Sequence, residues 1–397
     1  MIWRALAVVV GIPALLLSQI PPSEKLDPAD EQPFHDEIHR LEKLLDTVGD
    51  RCTVLYALAR TWAAGHQYRA AMDTLEKAAA LKVGLDPSND DIFAKLRGTK
   101  EFERLLGQIR VDSPPIVNSV TAFTIDEPDL FPEGIAFGSR HKLFFLGSTT
   151  KHKIVACTPD GACRPFAQDG LGSVLGVRAD PRDGSLWATS NGDAESALIH
   201  YAVPSGKLIR KYPRSGKHLF NDIAIDRQGN VFVTDTREAT VYWVARKTDA
   251  LEILAPALKV QAANGIALSE QGRAKLYISS FPDGITVIDI ASKSSHPIAH
   301  PANLCLGTID GLYFFAGSLY AIQNGIMVHR VVRLHLSPGL NTIDRFDILE
   351  RRNPLFNGGP TTAAIAEGAL YYMANPQLDS KPGVKPVPIK ILKVLLP

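Results

Sequence analysis

Neither sign of charge predominates in this sequence: 43 Lys and Arg stand against 42 Asp and Glu, a formal net charge of +1. That balance lacks the basic footprint that nucleic acid requires, and no long basic run offers contact to an anionic membrane surface. Cysteine is scarce, with four in 397 residues, and no Cys or His spacing resembles a zinc site. The apolar run from Ala5 to Leu17, broken by Gly11 and Pro13, falls short of the roughly 20 residues of a spanning helix. With Arg4 before it, the run has the arrangement of an export signal. Ser18, Gln19 and Ile20 form no clear small-x-small cleavage site, so residues 1–20 are a signal peptide or, alternatively, a retained anchor. No Cys follows the run, which excludes a lipoprotein. The expected location is the periplasm or the exterior, with membrane attachment only if this segment is retained. Cys157 and Cys163 flank Thr158-Pro159-Asp160-Gly161-Ala162, a turn that sets them opposite each other on a hairpin. A disulfide there and two free thiols on neighbouring strands are equal alternatives.

What the chain has is turns and core material: 30 glycines and 27 prolines, mostly beyond residue 110, and 45% hydrophobic residues. Residues 21–34, with Pro21, Pro22, Pro28 and Pro33 among many charges, read as a linker. From 35 to 110 the apolar period is helical. Ile38, Leu41, Leu44 and Leu45 share one face, and Leu55, Leu58, Ala59, Trp62, Gly65, Tyr68, Ala71, Leu75 and Ala78 follow. That spacing resembles one tetratricopeptide unit, with small residues where two antiparallel helices touch. A single unit cannot bury its own apolar face. It is therefore expected to pack on flanking helices or on the next domain, as a structural cap ahead of a groove for a protein partner.

After Pro114 and Pro115 the period becomes two and a repeat appears. Gly134-Ile-Ala-Phe, Gly176-Val-Arg-Ala, Asp222-Ile-Ala-Ile, Gly265-Ile-Ala-Leu, Gly311-Leu-Tyr-Phe and Thr362-Ala-Ala-Ile line up. Each precedes a turn and a second apolar strand: Leu143-Phe-Phe-Leu, Leu186-Trp-Ala-Thr, Val231-Phe-Val-Thr, Leu276-Tyr-Ile-Ser, Leu319-Tyr-Ala-Ile and Leu370-Tyr-Tyr-Met. Six copies at about 42 to 52 residues match four-stranded blades. The expected fold is an all-β six-bladed β-propeller over 116–397, preceded by the small helical domain. First strands should line the channel. Val120–Ile125 and Ile389-Lys-Ile-Leu-Lys-Val-Leu395 are the segments expected to close the ring.

The residue before each inner strand is, in order, Glu133, Leu175, Asn221, Asn264, Asp310 and Thr361. Radial symmetry puts the six at one height around the axis, so four hard oxygen donors converge. Two carboxylates and two amide carbonyls suit Ca²⁺, ahead of Mn²⁺, Mg²⁺ or Zn²⁺. Turn chemistry would place an Asn or Asp at one or two of these positions. It explains neither Glu133 nor a shared register.

Pro132-Glu133-Gly134-Ile-Ala-Phe, Phe220-Asn221-Asp222-Ile-Ala-Ile-Asp226, Asn264-Gly265-Ile-Ala-Leu and Asp310-Gly311-Leu resemble the senescence-marker-protein/gluconolactonase/luciferin-regenerating-enzyme (regucalcin-like) family. More distantly they resemble paraoxonase and squid phosphotriesterase propellers. The resemblance covers roughly 116–397. It implies a catalytic divalent cation on Glu133, Asn221, Asn264 and Asp310, hydrolysis of lactones or related esters, and a general-base role for Asp310. Direct ligation would lower the pKa of Asp310 and weaken it as a base, so its ligand role comes first.

There are departures. Members acting on sugar lactones carry an Arg two residues before the first Asn, where this chain has Leu219. A more apolar lactone or ester is therefore expected. Gly134 stands where paraoxonase-like members carry a second calcium ligand, so no second ion is expected. His218 near the mouth is a base or substrate donor in one reading and an exposed loop histidine in the other. Asp235 reads as a structural partner of nearby turns. The rival to a hydrolase is a non-enzymatic binding or scaffold module whose ion stiffens the ring. A quinoprotein-type dehydrogenase would want a cofactor-binding Arg/His set that is not found.

Overall fold

The computed structural model describes residues 19–23, 28–45, 51–256, 258, 260–269, 274–280, 284–378 and 383–397. The export-signal expectation falls on residues 1–18, outside the described residues. Among the described residues no helix is long and apolar enough to cross a membrane.

Four helices come first: α1 (Pro28–Leu45), α2 (Arg51–Ala64), α3 (Tyr68–Ala80) and α4 (Lys100–Asp112). α1 begins inside the stretch expected to be a linker. Pro28 is compatible with that start, because the first N–H of a helix has no partner within the helix and the proline ring presets its φ. α2 and α3 form a hairpin turned at Gly65 and His66. Ile38 and Leu41 of α1 pack on Val54 and Leu58 of α2. The small residues Ala59, Ala63 and Ala71 lie where α2 and α3 meet, with Tyr56, Leu75, Phe93 and Phe102 filling around them. The same cluster takes in Cys305, Ile326, Met327 and Val328 from the β-domain. The helical face is therefore buried on the rest of the protein.

Beyond residue 120 the chain forms six four-stranded antiparallel sheets. The inner strands are Pro132–Gly138, Val177–Ala179, Phe220–Ile225, Ile266–Leu268, Ile309–Phe315 and Ala363–Ala366, one per blade. Second strands such as Leu186–Asn191 and Val231–Asp235 are buried at every position. They are sandwiched between neighbouring blades, which is why they read as continuous apolar runs. Outer strands such as Leu208–Ser215 are mostly exposed. Aromatic residues fill the wedges between blades: Phe145, Phe166 and Tyr201 between the first and second, Trp187, Phe220 and Tyr242 between the second and third. The sixth blade is composite. Its outer strand is Val120–Ile125, paired antiparallel with Ile389–Leu395, so the two ends of the domain close the ring as expected.

All four cysteines are bonded. Cys157 joins Cys163 across the hairpin, where the two are directly opposite. Cys52 of α2 joins Cys305, a pairing that no spacing in the sequence announces. The closed loops differ greatly, with sequence separations of 6 and 253. Chain-entropy reasoning gives the short loop about 2 kcal/mol and the long one about 5 kcal/mol. Serine pairs at 157/163 and at 52/305 should therefore lower the guanidinium unfolding midpoint unequally, the second pair more. Equal shifts would mean that the long loop is already held in the unfolded chain.

Candidate functional site

The six residues at or just before the starts of the inner strands, Glu133, Leu175, Asn221, Asn264, Asp310 and Thr361, meet around one circle. At each blade boundary the backbone of one blade presses on a carbonyl of the next. A Cβ on Gly134 would lie 2.1 Å from the Leu175 carbonyl oxygen, one on Gly176 2.2 Å from that of Asn221, and one on Gly265 2.3 Å from that of Asp310. Only glycine tolerates such approach. Gly311 N–H donates to the Thr361 carbonyl at 3.1 Å, and the Thr362 hydroxyl donates to the Glu133 carbonyl. At the remaining boundary Asp222 replaces glycine. There the Thr234 hydroxyl accepts from Asp222 N–H at 3.0 Å and donates to the Asn264 carbonyl at 2.7 Å. These contacts run 133, 175, 221, 264, 310, 361 and back to 133, which brings Glu133, Asn221, Asn264 and Asp310 to one end of the axis.

The side chains of this ring are held from behind by polar residues at the ends of the second strands. Asn221 Nδ2 donates to Thr236 Oγ1 at 3.2 Å, and that hydroxyl donates to the Ala263 carbonyl at 2.6 Å. Asn264 Nδ2 donates to Asp310 Oδ1 at 3.1 Å, and Asn324 Nδ2 donates to Asp310 Oδ2 at 2.7 Å. Asn191 brackets Phe220, accepting from its N–H at 2.8 Å and donating to its carbonyl at 2.9 Å. Both ring amides thus engage the protein through nitrogen, which leaves their oxygens as acceptors.

That donor set fits a divalent cation. It is all oxygen, it carries two carboxylates, and Leu175 and Thr361 put no third charge on the circle. Among the described residues no three of His, Cys, Asp or Glu gather as a metal cluster. A site here would depend on the two amides as much as on the carboxylates.

His218 takes neither of its expected positions. It is buried, with Nδ1 2.6 Å from Asp235 Oδ2 and Nε2 3.2 Å from the Ser215 carbonyl, and it packs on Phe220 and Tyr242. Two residues before Phe220, it falls on the same side of the strand, facing the wedge between blades. Asp235 also accepts from the N–H groups of Leu219, Arg237 and Glu238, the structural role expected of it.

One layer further along the axis, Arg178, Asp222 and Tyr313 meet from three blades. Asp222 accepts from Ile223 N–H at 2.8 Å and Ile266 N–H at 3.2 Å, and the Arg178 guanidinium lies 3.8 Å away. The same guanidinium stands 5.6 Å over the Tyr313 ring. Burial pushes the Asp222 carboxyl above its ordinary range, with Arg178 opposing. Beyond this layer opens a cavity of about 270 Å³, lined by Ala136, Ala224, Ala267 and Ala364 along with Arg178 and Tyr313.

No protein-family model matches the chain, and no curated protein matches it in sequence. Solved structures do. The Malassezia sympodialis allergen Mala s 1 aligns at 15% identity and a TM-score of 0.53, over 70% of this chain and 96% of that one. An oxidoreductase assigned as a glucose dehydrogenase, from Thermus thermophilus, aligns at 15% identity and 0.50, over 70% and 98%. A gluconolactonase from Xanthomonas campestris aligns at 16% identity and 0.49, over 70% and 89%. At these identities the shared feature is the propeller, and proteins of that fold include enzymes.

Thr236 and Asn324 are the residues that sequence reasoning missed. Each directly follows a second strand, the one sequence signal that could have found them. Thr236→Val leaves the Asn221 amide without its acceptor and the Ala263 carbonyl without its donor. It should cost about 1–3 kcal/mol in urea unfolding of the chelator-treated protein, and Thr236→Ser should recover most of the loss. If serine fails to recover it, the methyl group's packing is what matters.

Proposed function

We propose that the protein is a divalent-cation-dependent hydrolase of lactones or related esters, with Ca²⁺ as the first choice of ion. The observation that carries this reading is the ring of four oxygen donors whose amide nitrogens are already engaged. Glu133, Asn221, Asn264 and Asp310 would hold the ion. When bound, it would polarise a substrate carbonyl and stabilise charge building on that oxygen.

The chain's own residues supply the rest. Asp310, steadied at both oxygens by Asn264 and Asn324, is the carboxylate assigned to receive a proton from attacking water. Ligation makes it a weak base, so its holding role comes first. Leu175 on the circle and Leu219 two residues before Asn221 favour an apolar acyl or lactone group over a sugar acid. The composition offers nothing to nucleic acid. Two disulfides support an oxidising compartment, consistent with export to the periplasm or exterior through the N-terminal run. One observation favours the rival reading, a binding or scaffold module with a structural ion: the helical domain is docked at the same end of the propeller, where a protein partner could also engage.

A panel of small lactones and aryl esters, assayed with Ca²⁺, Mn²⁺, Zn²⁺ or EDTA, separates the two. Turnover should require metal and should disappear in Asp310→Asn and Glu133→Gln. If both substitutions lower only the melting temperature, and no substrate turns over with any metal, the scaffold reading replaces the hydrolase.

A further inference from the structure

The strand register of the fifth blade puts the helical domain at the ring end of the axis. Ile309 pairs with Gln323, Gln323 with Arg330, and Arg330 with Arg351. The segments on either side of these pairs, residues 301–308, 324–329 and 352–361, therefore all emerge beside Asp310. The helical domain grips two of them. Val328 N–H donates to the Gly84 carbonyl at 2.7 Å and Asp86 N–H to the Ile326 carbonyl at 2.7 Å, a short antiparallel bridge centred on Leu85 and Met327. The Cys52–Cys305 bond and the contact of Thr53 with Gly307 hold the segment that leads into Asp310.

A buried polar chain joins the two grips. Arg330 donates to the Val83 carbonyl at 2.9 Å, to Gln323 Oε1 at 2.7 Å and to the Cys305 carbonyl at 3.3 Å. Gln323 in turn donates to the carbonyls of Cys305 at 3.0 Å and Gly307 at 2.8 Å. The gripped loop starts at Asn324, whose amide nitrogen donates both to Asp310 Oδ2 at 2.7 Å and to the Pro360 carbonyl at 3.0 Å.

We infer that the helical domain is a working part of the axial site: by clamping the 324–328 loop it makes Asn324 a positioning residue for Asp310, and through it sets the affinity of the ring for a divalent cation. This rests on the cation reading above. An Asn at the start of a free loop would pay conformational entropy each time it met the carboxylate. Here the bridge to residues 84–86, the Arg330 network and the disulfide remove that freedom before any ion arrives. The helices thus act on the site through the Asn324 amide and the segment that leads into Asp310, without touching the ion.

The test is Ca²⁺ binding by isothermal titration calorimetry to full-length, EDTA-stripped protein, with melting of the stripped form recorded beside it. Asn324→Ala should weaken Ca²⁺ by ~10–100-fold, the usual effect of removing a partner of a metal ligand, with little change in stripped-state melting. Asn324→Gln, which keeps an amide donor, should recover part of the affinity. Cys52→Ser/Cys305→Ser should weaken Ca²⁺ in the native protein, and its effect should shrink in the Asn324→Ala background, where the clamped loop no longer reaches the carboxylate. Additive losses, or unchanged affinity in Asn324→Ala, overturn the inference. Asp310→Asn separates this from failure of the underlying reading. If Asp310→Asn abolishes binding and Asn324→Ala does not alter it, only the clamp falls. If the unmodified protein takes up no Ca²⁺, both fall together.

Discussion

The structure depends on how closely the blades approach one another at the axis. A blade is a twisted four-stranded sheet, wide at its outer edge and narrow at its inner one, and six close into a ring only if the inner strands come nearly into backbone contact. Glycines 134, 176 and 265 permit that approach, and their neighbours' carbonyls fill the space a side chain would need. Because contact is made by backbone, every blade is indexed to the next at the same height. The common height of Glu133, Asn221, Asn264 and Asp310 follows from this packing constraint and needs no separate explanation.

Where glycine is missing the ring shows what replaces it. Asp222 takes the position and uses its carboxylate to accept two backbone N–H groups, one from the fourth blade. This puts a charge inside the channel, and Arg178 from the second blade answers it. The chemistry of the axis is therefore layered: the ring of oxygen-bearing side chains at one end, the Arg178–Asp222 pair with Tyr313 in the middle, and a cavity of mixed polarity beyond. A long buried tube of polar atoms would be costly to desolvate. Closing it with a paired guanidinium and a ring confines the oxygen ring to one face.

The repeat was legible because each blade obeys the same local rules: a channel-facing strand opened by Gly in four of the six, a turn, and a second strand apolar on both faces. The ring residues were legible for the same reason, since symmetry converts sequence register into spatial register. His218 was not, because its position depends on which side of Phe220 the wedge lies, a tertiary fact. The Cys52–Cys305 bond, the start of α1 at Pro28 and the docking of residues 83–86 on the 324–328 loop were equally hidden. They join distant segments or depend on packing, and they repeat nowhere in the chain. What recurs six times could be read; what happens once had to be seen.

The composite sixth blade makes ring closure wait for the last strand of the propeller. Val120–Ile125 precedes the other propeller strands, yet its partner is Ile389–Leu395, which follows all of them. Until that partner arrives, the early strand has an unpaired edge, and the ring stays an open arc whose blades have no fixed curvature. Contacts of such long sequence separation form slowly. Loss of Ile389–Leu395 would leave a chain with nearly all its blades and no circle. The oxygen donors would then be spread along an arc, so their convergence depends on the pairing of the propeller's first and last strands.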